Sequence, residues 1–217
     1  RARAEELASQ FMKQSVAYLD MYLDQVAQLN AAVTANPEVQ DVLSRPGFAD
    51  GYEMLAPFRR LSTAIESLAT TRSDIGQWNV YGLNGLGYST GVPRFDARAR
   101  VRSTSWYDSL TTQGATEIWT YAEDERSLVH VRRIHDLETG DVLGYSTLHL
   151  PVYHIESVAR SFDRGMDATL LLQSARAPET GAASPTLGEQ VEVESRILDT
   201  DLRLVMRLPV NRLLAGI

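Results

Sequence analysis

Apolar residues recur along the first 36 positions with a helical period. Met12, Val16, Leu19, Leu23, Val26, Asn30 and Val33 follow alternate steps of four and three. This is a heptad-like seam in which Asn30 is the one polar member. A second stripe of Phe11, Tyr18, Tyr22 and Leu29 lies on a neighbouring face. Two apolar faces fit either a single wide core stripe or a helix that packs on its own domain and on a partner. For such a partner a second copy of the chain is the candidate, giving a homodimer through the N-terminal helix.

Asn36-Pro37 ends this helix and starts another, because asparagine caps and proline suits the first helical position. Pro37–Ser44 is short and stops at Arg45-Pro46-Gly47. Tyr52–Thr71 is helical again, with Pro57 disturbing an early turn and Leu61, Ile65 and Leu68 on one face. After Ser73 the period changes: Ile75–Leu83 reads as a strand and Asn84–Gly87 as a turn. Phe95–Thr112 reads as one helix ending at Gly114. Three strands follow at Thr116–Ala122, Ser127–His135 and Val142–Leu150, the last two joined by the polar loop Asp136–Asp141. Pro151–Phe162 is a helix, then come strands at Ala168–Gln173, Gln190–Leu198 and Leu202–Leu208. Ser174–Gly188 is a surface loop, Asp199-Thr200-Asp201 closes a hairpin, and Pro209–Ile217 begins a last helix. The fold class is α+β.

Composition narrows the function classes. The 217 residues are 44% apolar and 23% charged, enough for a real core. A formal charge of −7 argues against a nucleic-acid partner. Arg94, Arg98, Arg100 and Arg102 form one basic segment, read as a solvated helix face. The absence of cysteine excludes disulfides and thiolate metal sites. No apolar run is long enough to span a bilayer. The opening at Arg1, directly in helix-forming sequence, and the apolar close at Leu213–Ile217 lead us to expect flanking segments beyond both ends.

Catalytic and metal chemistry find little support. There is no G-x-S-x-G, and His130, His135, His149 and His154 assemble no nucleophile-base set. Their spacings do not suit paired metal ligands, and Glu123-Asp124-Glu125 lacks the rhythm of a calcium loop. We expect no enzymatic activity, no cofactor and no metal. What remains is a cluster suited to binding. Trp106, Tyr107, Trp119, Tyr121 and Tyr145 fall within 40 residues, and Arg132 and His149 lie on the same sheet. Alternation puts Trp119 and Tyr121 on one face, and Tyr145 and His149 together on one face. Such a set describes a small-molecule pocket or an aromatic core.

Several short motifs in this region resemble the double Cache sensor domains of bacterial receptors. Ser105-Trp106-Tyr107, Gly114 and Trp119-Thr120-Tyr121 are similar to that family's helix-to-strand segment. Ile134-His135-Asp136, Thr139-Gly140 and Leu143-Gly144-Tyr145 resemble its hairpin. The nearest flavour is the carbohydrate-associated sensor histidine kinases of Gram-positive bacteria. The resemblance implies a long signalling helix over 1–36, a larger membrane-distal PAS-like unit over 37–150, a smaller proximal unit over 151–208, and an exit helix from 209–217. It implies an extracellular, membrane-anchored sensor of a kinase, or of a chemoreceptor or cyclase, with its ligand in the distal unit. A ligand-free structural or protein-interaction domain is the rival reading. Trp106, Tyr107 and Tyr121 carry over as pocket residues. Amino-acid-binding members place an arginine where Thr104 stands and an aspartate where His149 stands, so a sugar or organic acid is expected rather than an amino acid.

Overall fold

A computed structural model describes residues 2–69, 72–160, 169–174, 190–197 and 202–209. The apolar seam at the start forms one continuous helix, α1 (Ala2–Thr34). Met12, Leu19, Leu23, Val26, Asn30 and Val33 are all buried in the folded chain. The chain's own core therefore takes up the heptad-like seam, and Tyr18 and Met21 are left exposed on the other side. Asn36 ends the run as the sequence predicts: its Oδ1 accepts from the backbone N–H groups of Glu38 and Val39, opening α2 (Pro37–Leu43). Helix α3 (Leu55–Ala69) carries Pro57 in its first turn, where no intrahelical donor is lost.

Two compact units make up the chain, 25–151 and 1–24 with 152–217, and α1 contributes to both. In the larger unit six strands form one antiparallel sheet: β1 (Gln77–Gly82), β2 (Gly87–Ser89), β3 (Val92–Arg94), β4 (Glu117–Ala122), β5 (Ser127–His135) and β6 (Val142–Pro151). Their spatial order is β3-β2-β1-β6-β5-β4. β2 and β3 escape the sequence reading because each has three residues and β3 contains Pro93. Their turn, Thr90-Gly91, holds both residues at positive φ, the geometry of tight hairpins.

The predicted single helix over Phe95–Thr112 is in fact two, α4 (Ala97–Arg102) and α5 (Ser105–Gln113). Ser103 and Thr104 break it by donating their hydroxyls to the carbonyls of Arg100 and Val101. Short hydroxylated side chains compete with the helix for backbone partners, and Thr104 is extended. Gly114, left-handed at φ 63°, ends α5. The guanidinium of Arg133 donates to the Leu110 carbonyl in the last turn of α5, where the helix dipole favours a cation.

Register assigns the two faces of this sheet. One carries Asn79, Tyr81, Val129, Val131, Tyr145, Thr147 and His149; the other carries Trp78, Trp119, His130, Arg132, Ser146 and Leu148. On the second face, Asn30 of α1 donates from Nδ2 to His130 Nδ1 at 3.0 Å, and both side chains are fully buried. The His130 proton then sits on Nε2, 3.6 Å from Glu117 Oε2. The Trp119 ring lies 4.6 Å from the His130 ring. Burial, with Arg132 nearby, pushes the His130 pKa down to about 3, so the ring is neutral.

Two results follow from this contact. Asn30→Leu or His130→Leu alone should lower stability by about 1–3 kcal/mol, because each strands a buried polar partner. The double variant should recover part of the loss, and simple additivity in urea unfolding would contradict the pairing. An unfolded histidine binds a proton below pH 6.5 that folded His130 refuses until about pH 3. Stability from this group is therefore present above pH 6.5 and lost as pH falls, by about 2 kcal/mol between pH 7 and pH 5. The His130→Leu variant should lack that part of the pH dependence.

The smaller unit contains α6 (Val152–Arg160) and a three-stranded antiparallel sheet of β7 (Thr169–Ser174), β8 (Gln190–Arg196) and β9 (Leu202–Pro209), in the order β7-β9-β8. Its apolar members include Ile155, Leu204 and Val205. Glu192–Arg207 and Glu194–Arg203 pair across β8 and β9. The predicted loop after Ser174, the Asp199–Asp201 turn and the final helix beyond Pro209 lie outside the described residues.

Candidate ligand pocket

The first face of the six-stranded sheet, with α4 and α5, bounds a cavity of about 640 Å³. That is within the range of about 300–1,000 Å³ common for small-molecule sites. One wall is aromatic. Trp106, at the start of α5, packs on Tyr145 at 5.6 Å and on Tyr81 at 5.9 Å between ring centroids. These rings join Val129, Val131 and Leu110 in an apolar cluster that fixes the wall in place. Burial raises the Tyr81 pKa, and the charge of Glu125 adds to the effect.

The floor is polar and ordered. Glu125, in the turn between β4 and β5, stands 2.6 Å from His149 Nδ1. A carboxylate only accepts, so the imidazole proton is on Nδ1 and Nε2 is the acceptor. Asn79 donates from Nδ2 to His149 Nε2 at 3.2 Å and to Thr147 Oγ1 at 3.1 Å. Gln77 in turn donates to Asn79 Oδ1 at 3.0 Å. Hydrogen bonds thus run one way, from Gln77 through Asn79 and His149 to Glu125. Burial lowers the His149 pKa, and Glu125 offsets part of that.

The remaining wall is built from the break between α4 and α5. Thr104 is the N-cap of α5 but its hydroxyl is spent on Val101, so no side chain caps the first turn. Arg94 of β3 and Arg100 of α4 also line the cavity. Arg100 pairs with Asp96 at 2.7 Å. Arg94 makes no hydrogen bond or ion pair among the described residues.

The structure brings together some of the sequence-predicted residues and separates others. Trp106 and His149 line the cavity. Tyr145 and Tyr107 pack behind Trp106 in the apolar cluster, with Tyr107 edge-on to both other rings. Tyr121 borders the cavity from the end of β4, although strand alternation gives it the face of Trp119. Trp119 and Arg132 belong to the opposite face, Trp119 on His130 and Arg132 paired with Glu117. Sequence reasoning missed Gln77, Asn79, Tyr81, Arg94 and Glu125. The period-two pattern of β1 offered a signal for the first three, since they alternate on one face. Arg94 reads in the sequence as part of a solvated helix, and Glu125 as part of a solvated loop. Among the described residues no cluster of three or more histidines and carboxylates could hold a metal, and no helix is long and apolar enough to cross a membrane.

No family model and no curated protein matches the sequence. Solved structures do match it. The sensory domain of the Campylobacter jejuni chemoreceptor Tlp3, solved with isoleucine bound, superposes with a TM-score of 0.63 at 7% identity, over 96% of this chain and 94% of that one. The ligand-binding domain of the Pseudomonas fluorescens chemoreceptor CtaA, in complex with L-isoleucine, gives 0.61 at 12% identity, over 100% and 97%. The extracellular domain of a candidate histidine kinase, vpHK1S-Z8, gives 0.60 at 12% identity, over 98% and 94%. The fold is therefore that of the sensory domains of bacterial receptors. Its particular form, a long first helix with a larger and a smaller antiparallel unit, is the one that the Cache resemblance implies.

Proposed function

We propose that this chain is the extracytoplasmic sensory domain of a bacterial membrane receptor and that it binds a small carboxylate-bearing molecule in the pocket of the larger unit. The carrying observation is Arg94: a half-buried residue, without an ion pair among the described residues, that lines a cavity of about 640 Å³ together with the uncapped first turn of α5. A partly desolvated cation and a helix N-terminus without a side-chain cap both favour an anion there. A sensor histidine kinase is the parent we favour, and a chemoreceptor or cyclase sensor has the same fold. In each case this fragment is non-catalytic.

Thr104 and His149, standing where amino-acid-binding relatives place an arginine and an aspartate, support an organic acid or acidic sugar over an α-amino acid. Several of the similar structures hold amino acids, including isoleucine and GABA, so amino acids form the opposing arm of the test.

Signalling is a population shift limited by the ligand's differential affinity for two arrangements. Val129 lines the pocket and its neighbour on β5, His130, holds Asn30 of α1, which also donates to the Ser146 carbonyl on β6, so sheet and helix share buried polar contacts. A helix-mediated homodimer would use the exposed Tyr18 and Met21 side of α1, the seam being buried. A thermal-shift screen of sugars, organic acids, amino acids and peptides should find organic acids or acidic sugars that raise Tm, with the shift lost in Arg94→Gln. Stabilisation by neutral compounds that survives Arg94→Gln would overturn the anion assignment.

A further inference from the structure

Opposite signs of charge reach this cavity from well-separated places in the sheet. Arg94 is level with Gly87, Gly87 with Tyr81, and Tyr81 with Tyr145 across three successive strand pairings. His149 lies on the strand of Tyr145, four residues further along. Three strand spacings and four residues of strand each come to about 14 Å, so the two backbone positions are about 20 Å apart. The arginine side chain and the Glu125 carboxylate close only part of that distance. Between them lie uncharged groups, Gln77, Asn79 and Ser89.

Glu125 is held from one side. Its Oε2 accepts from His149 Nδ1, and its other oxygen takes no hydrogen bond among the described residues. The one-way chain from Gln77 ends on this carboxylate, which leaves an acceptor, not a donor, on show. We propose that Glu125, positioned by His149, is the specificity-determining pole of the pocket: it accepts a hydrogen-donating group at the far end of an elongated ligand whose carboxylate is taken by Arg94. The inference rests on the pocket reading above. It selects a class: molecules with an anionic group and a hydroxyl or ammonium separated by a chain of several bonds. An α-amino acid with an apolar side chain, both of its charged groups on one carbon, reaches one pole at a time.

The test uses the 217-residue chain. The probes are two matched series, unbranched ω-amino acids and ω-hydroxy acids of increasing length, with L-isoleucine and glucose as short and neutral comparisons. Calorimetric titration should show affinity rising with chain length to an optimum. Glu125→Ala and Arg94→Gln should each weaken the best probe at least tenfold, and His149→Phe should weaken it while leaving the length optimum broader. Glu125→Gln separates the sources: a large loss marks an ammonium ligand, a small one a hydroxyl. Glu125 is exposed on a turn, so the Glu125 variants test recognition and not folding.

Length-independent binding, or a best probe unaffected by Glu125→Ala but abolished by Arg94→Gln and Trp106→Ala, overturns this proposal and leaves the pocket reading standing. Binding of isoleucine alone, dependent on Trp106 and Arg94, does the same, whereas binding of glucose alone overturns the carboxylate reading as well. Failure of every probe to bind, or binding that ignores all four positions, overturns both.

Discussion

Trp106→Ala should cost about 3–5 kcal/mol of unfolding free energy and abolish ligand-induced stabilisation. The indole is 6% exposed, so it is a core residue as well as a wall. Its removal takes away ring contacts to Tyr81, Tyr107 and Tyr145, which hold the first turn of α5 against β1 and β6. The surrounding rings cannot close the space, because each is fixed by its own strand or helix. Chemical denaturation measures the loss. Trp106→Phe separates the two roles: most of the stability should return, since an aromatic ring refills most of the volume. A loss under about 1 kcal/mol for the alanine variant would mean that the wall is not packed as described.

Gly144→Ala should be at least as damaging, about 3 kcal/mol or more. Gly144 pairs with Gly82 of β1 and with Ile134 of β5 in the middle of the sheet. A methyl group there would run into the Tyr81 carbonyl on the adjoining strand. The backbone would have to move, and with it the β1–β6 pairing that places Asn79 beside His149 and Tyr81 beside Tyr145. Circular dichroism melts should show a strongly lowered Tm. Gly114→Ala, at a left-handed helix end with nothing near its added methyl, should cost only about 1 kcal/mol. Equal effects at the two positions would contradict the close strand contact.

Much of this architecture was legible because long elements carry strong periodic signals. The seam of α1, the cap at Asn36 and the strands β4, β5 and β6 are predicted within one or two residues of where they form. Asp136 explains the hairpin loop: its Oδ1 accepts from the backbone N–H groups of Glu138 and Thr139, and Gly140 takes the positive φ. The failures have local causes. Three-residue strands such as β2 and β3 hold no full period, and the break at Ser103-Thr104 depends on hydroxyls choosing backbone carbonyls over solvent.

The pocket was less legible than the fold. Alternation shows that Trp119 and Tyr121 share a face, but not which face looks into the cavity. That is decided by the pairing of β4 with β5, which sets Trp119 against His130 and Thr120 against Val129. Arg132 goes to the back face and Arg133 to the front for the same reason. Arg94 and Glu125 reach the cavity from a hairpin and a turn whose sequences read as solvated, and only the folded sheet makes both of them line it. Residues on long strands could thus be grouped from the sequence, while residues on turns could not.

A crystal structure of the domain with the most stabilising acid from the screen tests the central claim most directly. The account predicts that the ligand lies on the face of Asn79 and His149, against Trp106, with its carboxylate on Arg94. A ligand seated on the opposite face beside Trp119 and His130, or a cavity closed by Tyr81 and Arg94 folding into it, would contradict it.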